Sequence, residues 1–156
     1  MRKFSSYGPV NKKLHYYVPR QKLIDFAHLQ LVGENPAEGG HYITVWAPRQ
    51  RGKTWIMQQV LWRLRQDDRF EVLKINLEHL KMEQQVDSII QAVAEEIARG
   101  LGLKDITVHN AKEFYHLFEK DILKKPLILI LDEFDALAEG AISGIAGVFR
   151  NIYNHQ

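Results

Sequence analysis

The sequence predicts an α/β fold built on a parallel sheet, and three observations lead to this prediction. Strand-like runs at residues 42–46, 70–77 and 127–131 are separated by segments with helical periodicity. The last run, LILIL, is continuously aliphatic, which is typical of a strand covered on both faces. A glycine-containing loop at residues 47–54 follows the first run and leads into a helix, which is the order that phosphate binding requires.

The bulk composition excludes several classes of function. The 156 residues fit one domain of ordinary soluble composition, with 46% hydrophobic residues. Lysine and arginine number 21 against 19 acidic residues, so the net charge of +2 favours neither nucleic acid nor an anionic membrane as a partner. Because there is no cysteine, disulfides, thiolate catalysis and zinc fingers are excluded. No segment has the apolar length of a membrane span or of a signal peptide, so we expect a cytoplasmic protein.

The first half of the chain is expected to contain two helices around one strand. Residues 1–15 are polar and predict a flexible N-terminal arm, with a single domain at residues 16–156. Pro19 suits a helix start, and the helix is expected to end near Gly33. Its apolar positions at helical spacing are Leu23, Phe26, Ala27 and Leu31. The next strand is YITVW at residues 42–46, which carries β-branched and aromatic residues between turn signals.

The alternation of helices and strands continues along the rest of the sequence. A helix at residues 54–65 has a core face of Ile56, Val60, Leu61 and Leu64. The strand at 70–77 precedes a helix at 86–100, whose apolar residues are Ile89, Ile90, Val93, Ala94 and Ile97. A helix at 111–123 is expected to end before Pro126, and a final helix is predicted at 141–153 after the third strand.

The loop after the first strand carries a phosphate-binding pattern. It matches the P-loop, or Walker A, pattern at its last three positions and has alanine in place of the first glycine. In this interpretation Gly52 lets the backbone approach phosphate, Lys53 reaches the β and γ oxygens, and Thr54 offers its hydroxyl to Mg²⁺. The candidate nucleotide-binding residues of the loop are Ala47, Pro48, Arg49, Gln50, Arg51, Gly52, Lys53 and Thr54.

Two carboxylates follow directly after the aliphatic third strand. This arrangement, LILILDE, is that of a Walker B element. It predicts that Asp132 holds Mg²⁺, through water, and that Glu133 orients and deprotonates the attacking water as general base. Lys53 and Glu133 are therefore the candidate catalytic residues, and Thr54 and Asp132 the candidate metal-binding residues.

Three stretches carry a family resemblance. They are HYYVPR at residues 15–20, WAPRQRGKT at 46–54 and LILILDEFDAL at 127–137. In this order they resemble the bacterial AAA-like ATPases of the P-loop class that use a catalytic glutamate, and the similarity spans nearly the whole chain. The resemblance implies a P-loop NTPase fold with three α/β/α layers around a parallel sheet. It also implies ATP rather than GTP, with Mg²⁺ as the metal.

The resemblance carries two further expectations. By position alone, it implies an adenine-side pocket at Tyr17, Val18 and Pro19. It also implies five strands in the order 5-1-4-3-2, whereas this sequence supplies only the first three. We therefore expect an N-terminal part that lacks strands four and five, the sensor and the lid, or a direct pairing of the first and third strands. Such a part would hydrolyse ATP weakly or not at all, and a protein partner or self-association would act through the missing C-terminal region.

Other interpretations remain open at this stage. Asp132 and Glu133 could cap a turn, and Gly52 could be a simple turn residue beside a solvated Lys53. Residues 132–135 (DEFD) also fit a helicase-like DExD pattern, and a third possibility is a non-catalytic interaction fragment. For Arg49 and Arg51 two interpretations are open: each contacts phosphate, or each is simply exposed to solvent. The seven histidines show no metal-ligand spacing, so no metal is expected other than Mg²⁺. Trp55 and Trp62 pack against a neighbouring helix or form a patch for a partner.

Overall fold

The computed structural model describes residues 3–4, 11, 13–35, 42–46, 51–103 and 106–154. These residues fall into two compact units. The first contains the described residues within Met1–Glu34 and His41–Gln66, and the second those within Asn35–Gly40 and Asp67–Gln156. No helix in the described ranges is long and apolar enough to span a membrane.

The first unit is built on two packed helices, α1 (Gln21–Val32) and α2 (Lys53–Leu64). Both helices were predicted from the sequence. Helix α1 ends where Gly33, with φ 72°, donates its backbone N–H to the carbonyl oxygen of Leu29. The predicted core face of α2 is confirmed, because its buried residues are Ile56, Val60, Leu61 and Leu64.

The core face predicted for α1 is partly wrong. Its buried residues are Ile24 and Ala27, whereas Leu23 and Phe26 are 52% and 60% exposed. Apolar positions occur around most of this short helix, so periodicity alone did not select the buried side. Asp25 joins α1 to α2 through an ion pair of 2.7 Å with Arg63.

The strand predicted at residues 42–46 does not form. The segment has no regular secondary structure, and Tyr42, Val45 and Trp46 are 58%, 40% and 85% exposed. Strand propensity describes a side chain's fit to a paired and half-buried surface, so it is not sufficient without a partner strand. The strands described in regular secondary structure both lie in the second unit, and a direct pairing of the first and third predicted strands stays a prediction.

The second unit is organised around two parallel strands, β1 (Glu71–Asn76) and β2 (Leu127–Asp132). Their register runs from Glu71 opposite Leu127 to Asn76 opposite Asp132. These are the second and third predicted strands, and they are direct neighbours. The α/β class with a parallel sheet is therefore confirmed, while a larger sheet covered by helices in three layers stays a prediction.

Three helices accompany this sheet. They are α3 (Val86–Gly100), α4 (Ala111–Phe114) and α5 (Glu139–Asn154). All five residues predicted for the apolar face of α3 are buried, and α3 packs against α4, α5 and β1. The helix predicted at 111–123 is wrong in its second half, because α4 passes at once into a 3-10 turn, Tyr115–Phe118. The tighter turn places Phe114 and Leu117 on the same side, where both are fully buried.

Strand β2 carries buried or partly buried aliphatic side chains on both faces, as its sequence predicted. Leu129 and Leu131 pack against the core that contains α3, whereas Ile128 and Ile130 point to the opposite face and are each 6% exposed. On that opposite face Lys74 of β1 lies beside Ile130 in the register. The strand ends with Asp132, which lies on the same face as Ile128 and Ile130.

Candidate functional site

The described part of the phosphate loop begins at Arg51. Ala47, Pro48, Arg49 and Gln50 lie outside the described residues. Gly52 has φ 78° and ψ 23°, which is the left-handed region, and it immediately precedes the first residue of α2. A Cβ added at Gly52 would meet no atom within 4 Å. The backbone conformation, and not crowding, is therefore what favours glycine here.

The N-terminus of α2 has the character of an anion site. Lys53 and Thr54 are its first two residues, and neither a capping side chain nor an acidic residue occupies its first turn. The first backbone N–H groups of a helix have no acceptor within the helix, and the helix dipole places partial positive charge at the same end. These groups match the chemistry of a phosphate group.

Arg20 is attached to the phosphate loop. Its Nη1 donates a hydrogen bond of 2.8 Å to the backbone carbonyl oxygen of Arg51, the residue before Gly52. Sequence analysis included Arg20 in the HYYVPR stretch without assigning it a role. An arginine directly before α1 is visible in the sequence. Its partner, Arg51, is 31 positions away, so the sequence alone did not indicate the contact.

The predicted adenine-side residues differ in their surroundings. Tyr17 accepts a hydrogen bond of 2.7 Å from Nε2 of Gln59, and its ring meets the edge of Trp55 at a centroid distance of 5.9 Å. Val18 is 82% exposed, and Pro19 is exposed as well. Tyr17 is thus fixed against the side of α2, whereas Val18 and Pro19 present their side chains to solvent.

The two tryptophans of α2 contact each other. The rings of Trp55 and Trp62 meet edge to face, with centroids 5.5 Å apart. Trp62 is 47% exposed, and the indole Nε1 of Trp55 is buried and has no hydrogen-bond acceptor among the described residues. Tyr17, Trp55 and Trp62 therefore form one aromatic row along this helix.

Asp132 occupies the carboxyl end of β2 and is held by one residue of β1 and by the residue that follows β1. Its backbone carbonyl oxygen accepts the N–H of Leu77 at 3.0 Å. Its carboxylate Oδ2 lies 2.8 Å from Nζ of Lys74, and the two side chains are only 16% and 17% exposed. Sequence analysis did not predict this ion pair, although a lysine within the apolar run of β1 was a visible signal.

Glu133 adopts an uncommon backbone conformation. Its φ of 57° and ψ of 39° are left-handed, and among the described residues other than glycine this is the one positive φ. The chain turns here from β2 into a short 3-10 segment, Phe134–Ala136, to which the Glu133 side chain makes no capping hydrogen bond. The interpretation of Glu133 as a side-chain cap is therefore wrong. A strained residue directly after a strand is typical of functional sites.

A comparison with protein families decides the class of this chain. A family model described as an AAA domain matches residues 37–155, well over half of the chain. The chain belongs to the AAA domain family. No curated protein and no solved structure matches it. The matched range contains both the phosphate loop and the acidic pair, while the HYYVPR stretch precedes it.

The family assignment confirms the resemblance to AAA-like P-loop ATPases. An AAA domain is a nucleotide-binding P-loop ATPase module, and this chain carries one. Lys53 and Thr54 lie in the first unit of this AAA domain, and Asp132 and Glu133 in the second. Each group is described within its own unit, so the meeting of the two groups around one triphosphate stays a prediction.

The residues of the AAA domain fit a nucleotide with a divalent cation. The N-terminus of α2 offers N–H donors and a lysine, which suit phosphate. Asp132 offers carboxylate oxygens, which suit Mg²⁺. Within the described residues no three acidic or histidine side chains gather in a metal cage. Mg²⁺ is usually held by one or two carboxylates together with nucleotide phosphate and water, so the carboxylate of Asp132 is a ligand of the kind that this ion uses.

Proposed function

We propose that this chain binds ATP together with Mg²⁺ and acts as the nucleotide-binding module of an AAA-type ATPase. The observation that carries the proposal is the start of α2. There Lys53 and Thr54 follow a left-handed Gly52, and neither a capping side chain nor an acidic residue occupies the first turn. That combination concentrates donors and positive charge where a triphosphate would be bound.

In this proposal the phosphate loop, residues 47–54, cradles the phosphates with its backbone N–H groups. Lys53 neutralises the β and γ oxygens as a point charge. Thr54 is exposed and supplies its hydroxyl to the metal. Arg20 supports the loop from outside through the carbonyl oxygen of Arg51.

The acidic pair divides two roles between neighbouring residues. Asp132 holds the metal, through water, and Glu133 positions the attacking water and accepts its proton. Mg²⁺ supplies neutralisation of the negative charge on the phosphates. The left-handed conformation of Glu133 gives its side chain a direction that a continued strand would not give.

The adenine side is proposed to involve Tyr17, Val18 and Pro19. Tyr17 is the best supported of the three, because a hydrogen bond from Gln59 and the edge of Trp55 fix its ring beside the helix that carries Lys53. A fixed aromatic ring can stack with a base. We also propose that the two-stranded sheet belongs to a larger parallel sheet between two helical layers, as in other P-loop NTPases.

Calorimetric titration with ATP tests the binding proposal. The wild-type chain should bind ATP in the presence of Mg²⁺ and bind it more weakly in excess EDTA. Lys53→Ala should weaken binding at least tenfold, about the effect of one lost charge-assisted contact. Arg65→Ala, at the opposite end of α2, is the matched control and should bind normally. If the wild-type chain takes up no nucleotide while it remains folded, the module is a non-catalytic interaction domain.

The roles of the acidic pair need a second measurement. Glu133→Gln should retain ATP and Mg²⁺ binding, because it removes a base and keeps the size of the side chain. Asp132→Asn should lower the dependence of ATP affinity on Mg²⁺. If ATP affinity depends on Mg²⁺ equally in Asp132→Asn and in the wild-type chain, Asp132 does not bind the metal.

A further inference from the structure

The ion pair between Lys74 and Asp132 places a cation on the carboxylate that is proposed to serve the metal. The Lys74 ammonium lies 2.8 Å from Oδ2 of Asp132, and both side chains are less than one fifth exposed. A carboxylate with this degree of burial is costly unless a positive charge or hydrogen-bond donor accompanies it. Lys74 therefore supplies the counter-charge of Asp132.

The position of Lys74 in the sheet explains how it reaches Asp132. Lys74 lies beside Ile130 in the parallel register, and Asp132 is two residues further along β2 on the same face. The lysine stem therefore crosses the buried Ile130 and delivers its ammonium to the end of the strand. Unlike Asp67 and Arg69, which form an ion pair just before β1, Lys74 pairs with a residue of the proposed site.

We propose that Lys74 is a positioning residue that competes with the divalent cation for Asp132 and so sets the Mg²⁺ requirement for nucleotide binding. This inference rests on the proposed function of Asp132. Lys74 keeps the carboxylate oriented at the end of β2 and must release it, or share it, when the carboxylate serves a metal. The positive charge of Lys74 also repels a second cation nearby. Without the metal there is no competition for Asp132, so loss of Lys74 should not raise the affinity for nucleotide.

The experiment measures the affinity for a non-hydrolysable ATP analogue over a series of buffered free Mg²⁺ concentrations. Lys74→Met keeps the apolar stem and removes the charge. The half-point is the free Mg²⁺ concentration that gives half of the full gain in affinity for the analogue. In Lys74→Met it should fall by about three- to tenfold, the range expected for one partly exposed ion pair. In excess EDTA its affinity for the analogue should be no higher than that of the wild-type chain. Arg69→Met removes one positive charge from the ion pair with Asp67 and should keep the wild-type half-point.

Two more variants keep the test decisive if Lys74→Met folds poorly. Lys74→Gln retains a hydrogen-bond donor and should lower the half-point in the same direction. Lys74→Arg retains the charge and should leave the half-point equal to or higher than the wild-type value. An unchanged or raised half-point in both neutral variants, or a lowered one in Lys74→Arg, would overturn the role of Lys74.

The outcomes for Lys74 and for the proposed function can be told apart. If the wild-type chain binds the analogue with Mg²⁺ and the Lys74 variants respond as the wild-type chain does, only the competition is refuted and Lys74 is a structural residue. If the folded wild-type chain binds no analogue at any Mg²⁺ concentration, the proposed function fails, and the role of Lys74 fails with it.

Discussion

The guanidinium of Arg20 donates a 2.8 Å hydrogen bond to the carbonyl oxygen of Arg51, and so joins the segment before α1 to the residue that precedes Gly52. Arg51 is the start of the described part of the phosphate loop. A side chain distant in sequence thus fixes the backbone where the left-handed turn begins. This contact gives Arg20 a role that its exposed position alone does not suggest.

Arg20→Gln is expected to weaken ATP binding by about two- to tenfold, the usual range for one hydrogen bond. The physical reason is loss of support for the Arg51 carbonyl, which leaves the turn at Gly52 less ordered. Lys22→Gln removes the same charge two residues later and should bind ATP normally. Titration calorimetry of the two variants makes the comparison, and equal affinities would show that the contact has no influence on the loop.

Gly52→Ala should reduce the free energy of unfolding by about 1 kcal/mol, because an L-residue is strained at the left-handed φ of Gly52. Gly147→Ala is the matched control, since Gly147 lies inside α5 and an added Cβ there also meets no atom within 4 Å. The control should be more stable than the wild-type chain by about 0.5 to 1 kcal/mol. Urea denaturation measures the free energy of unfolding of both variants. A Gly52→Ala chain as stable as the wild-type chain would contradict the left-handed turn at Gly52.

Glu133→Gly should be more stable than Glu133→Ala by about 1 kcal/mol, because only glycine adopts the left-handed conformation without strain. Both variants lack the carboxylate, so a difference between them reports the backbone alone. Denaturation midpoints at matched conditions provide the measurement. Equal midpoints would mean that Glu133 does not hold a strained conformation.

Acid should weaken the first unit through Asp25. The hydrogen bond from Gln21, and next the contact with Arg63, hold the pKa of Asp25 below its ordinary value of 3.8. Since the folded pKa is the lower one, the contribution of Asp25 to stability is present above the ordinary pKa and is lost as the pH falls through the folded pKa. Between about pH 5 and pH 2 the wild-type chain should therefore lose more stability than Asp25→Asn. Thermal melts across this range measure the loss, and parallel curves for the two chains would refute the link.

The sequence identified both motifs because each depends on a local pattern. The phosphate loop needs Gly52, Lys53 and Thr54 in consecutive positions before an amphipathic helix, and the acidic pair needs two carboxylates directly after an aliphatic strand. Helix α3 was predicted for the same reason, since its apolar residues recur at helical spacing from Ile89 to Ile97. The family match over residues 37–155 agrees with this local evidence.

The tertiary structure decided what depends on partners distant in the chain. Residues 42–46 have strand propensity but show no regular secondary structure, because propensity alone does not make a strand. Tyr115–Phe118 tightened into a 3-10 turn so that Phe114 and Leu117 could enter one core. The contacts of Arg20 with Arg51 and of Lys74 with Asp132 join residues 31 and 58 positions apart. The sequence therefore determined the chemical groups of the site, and the packing of distant segments determined which charges and backbone atoms accompany them.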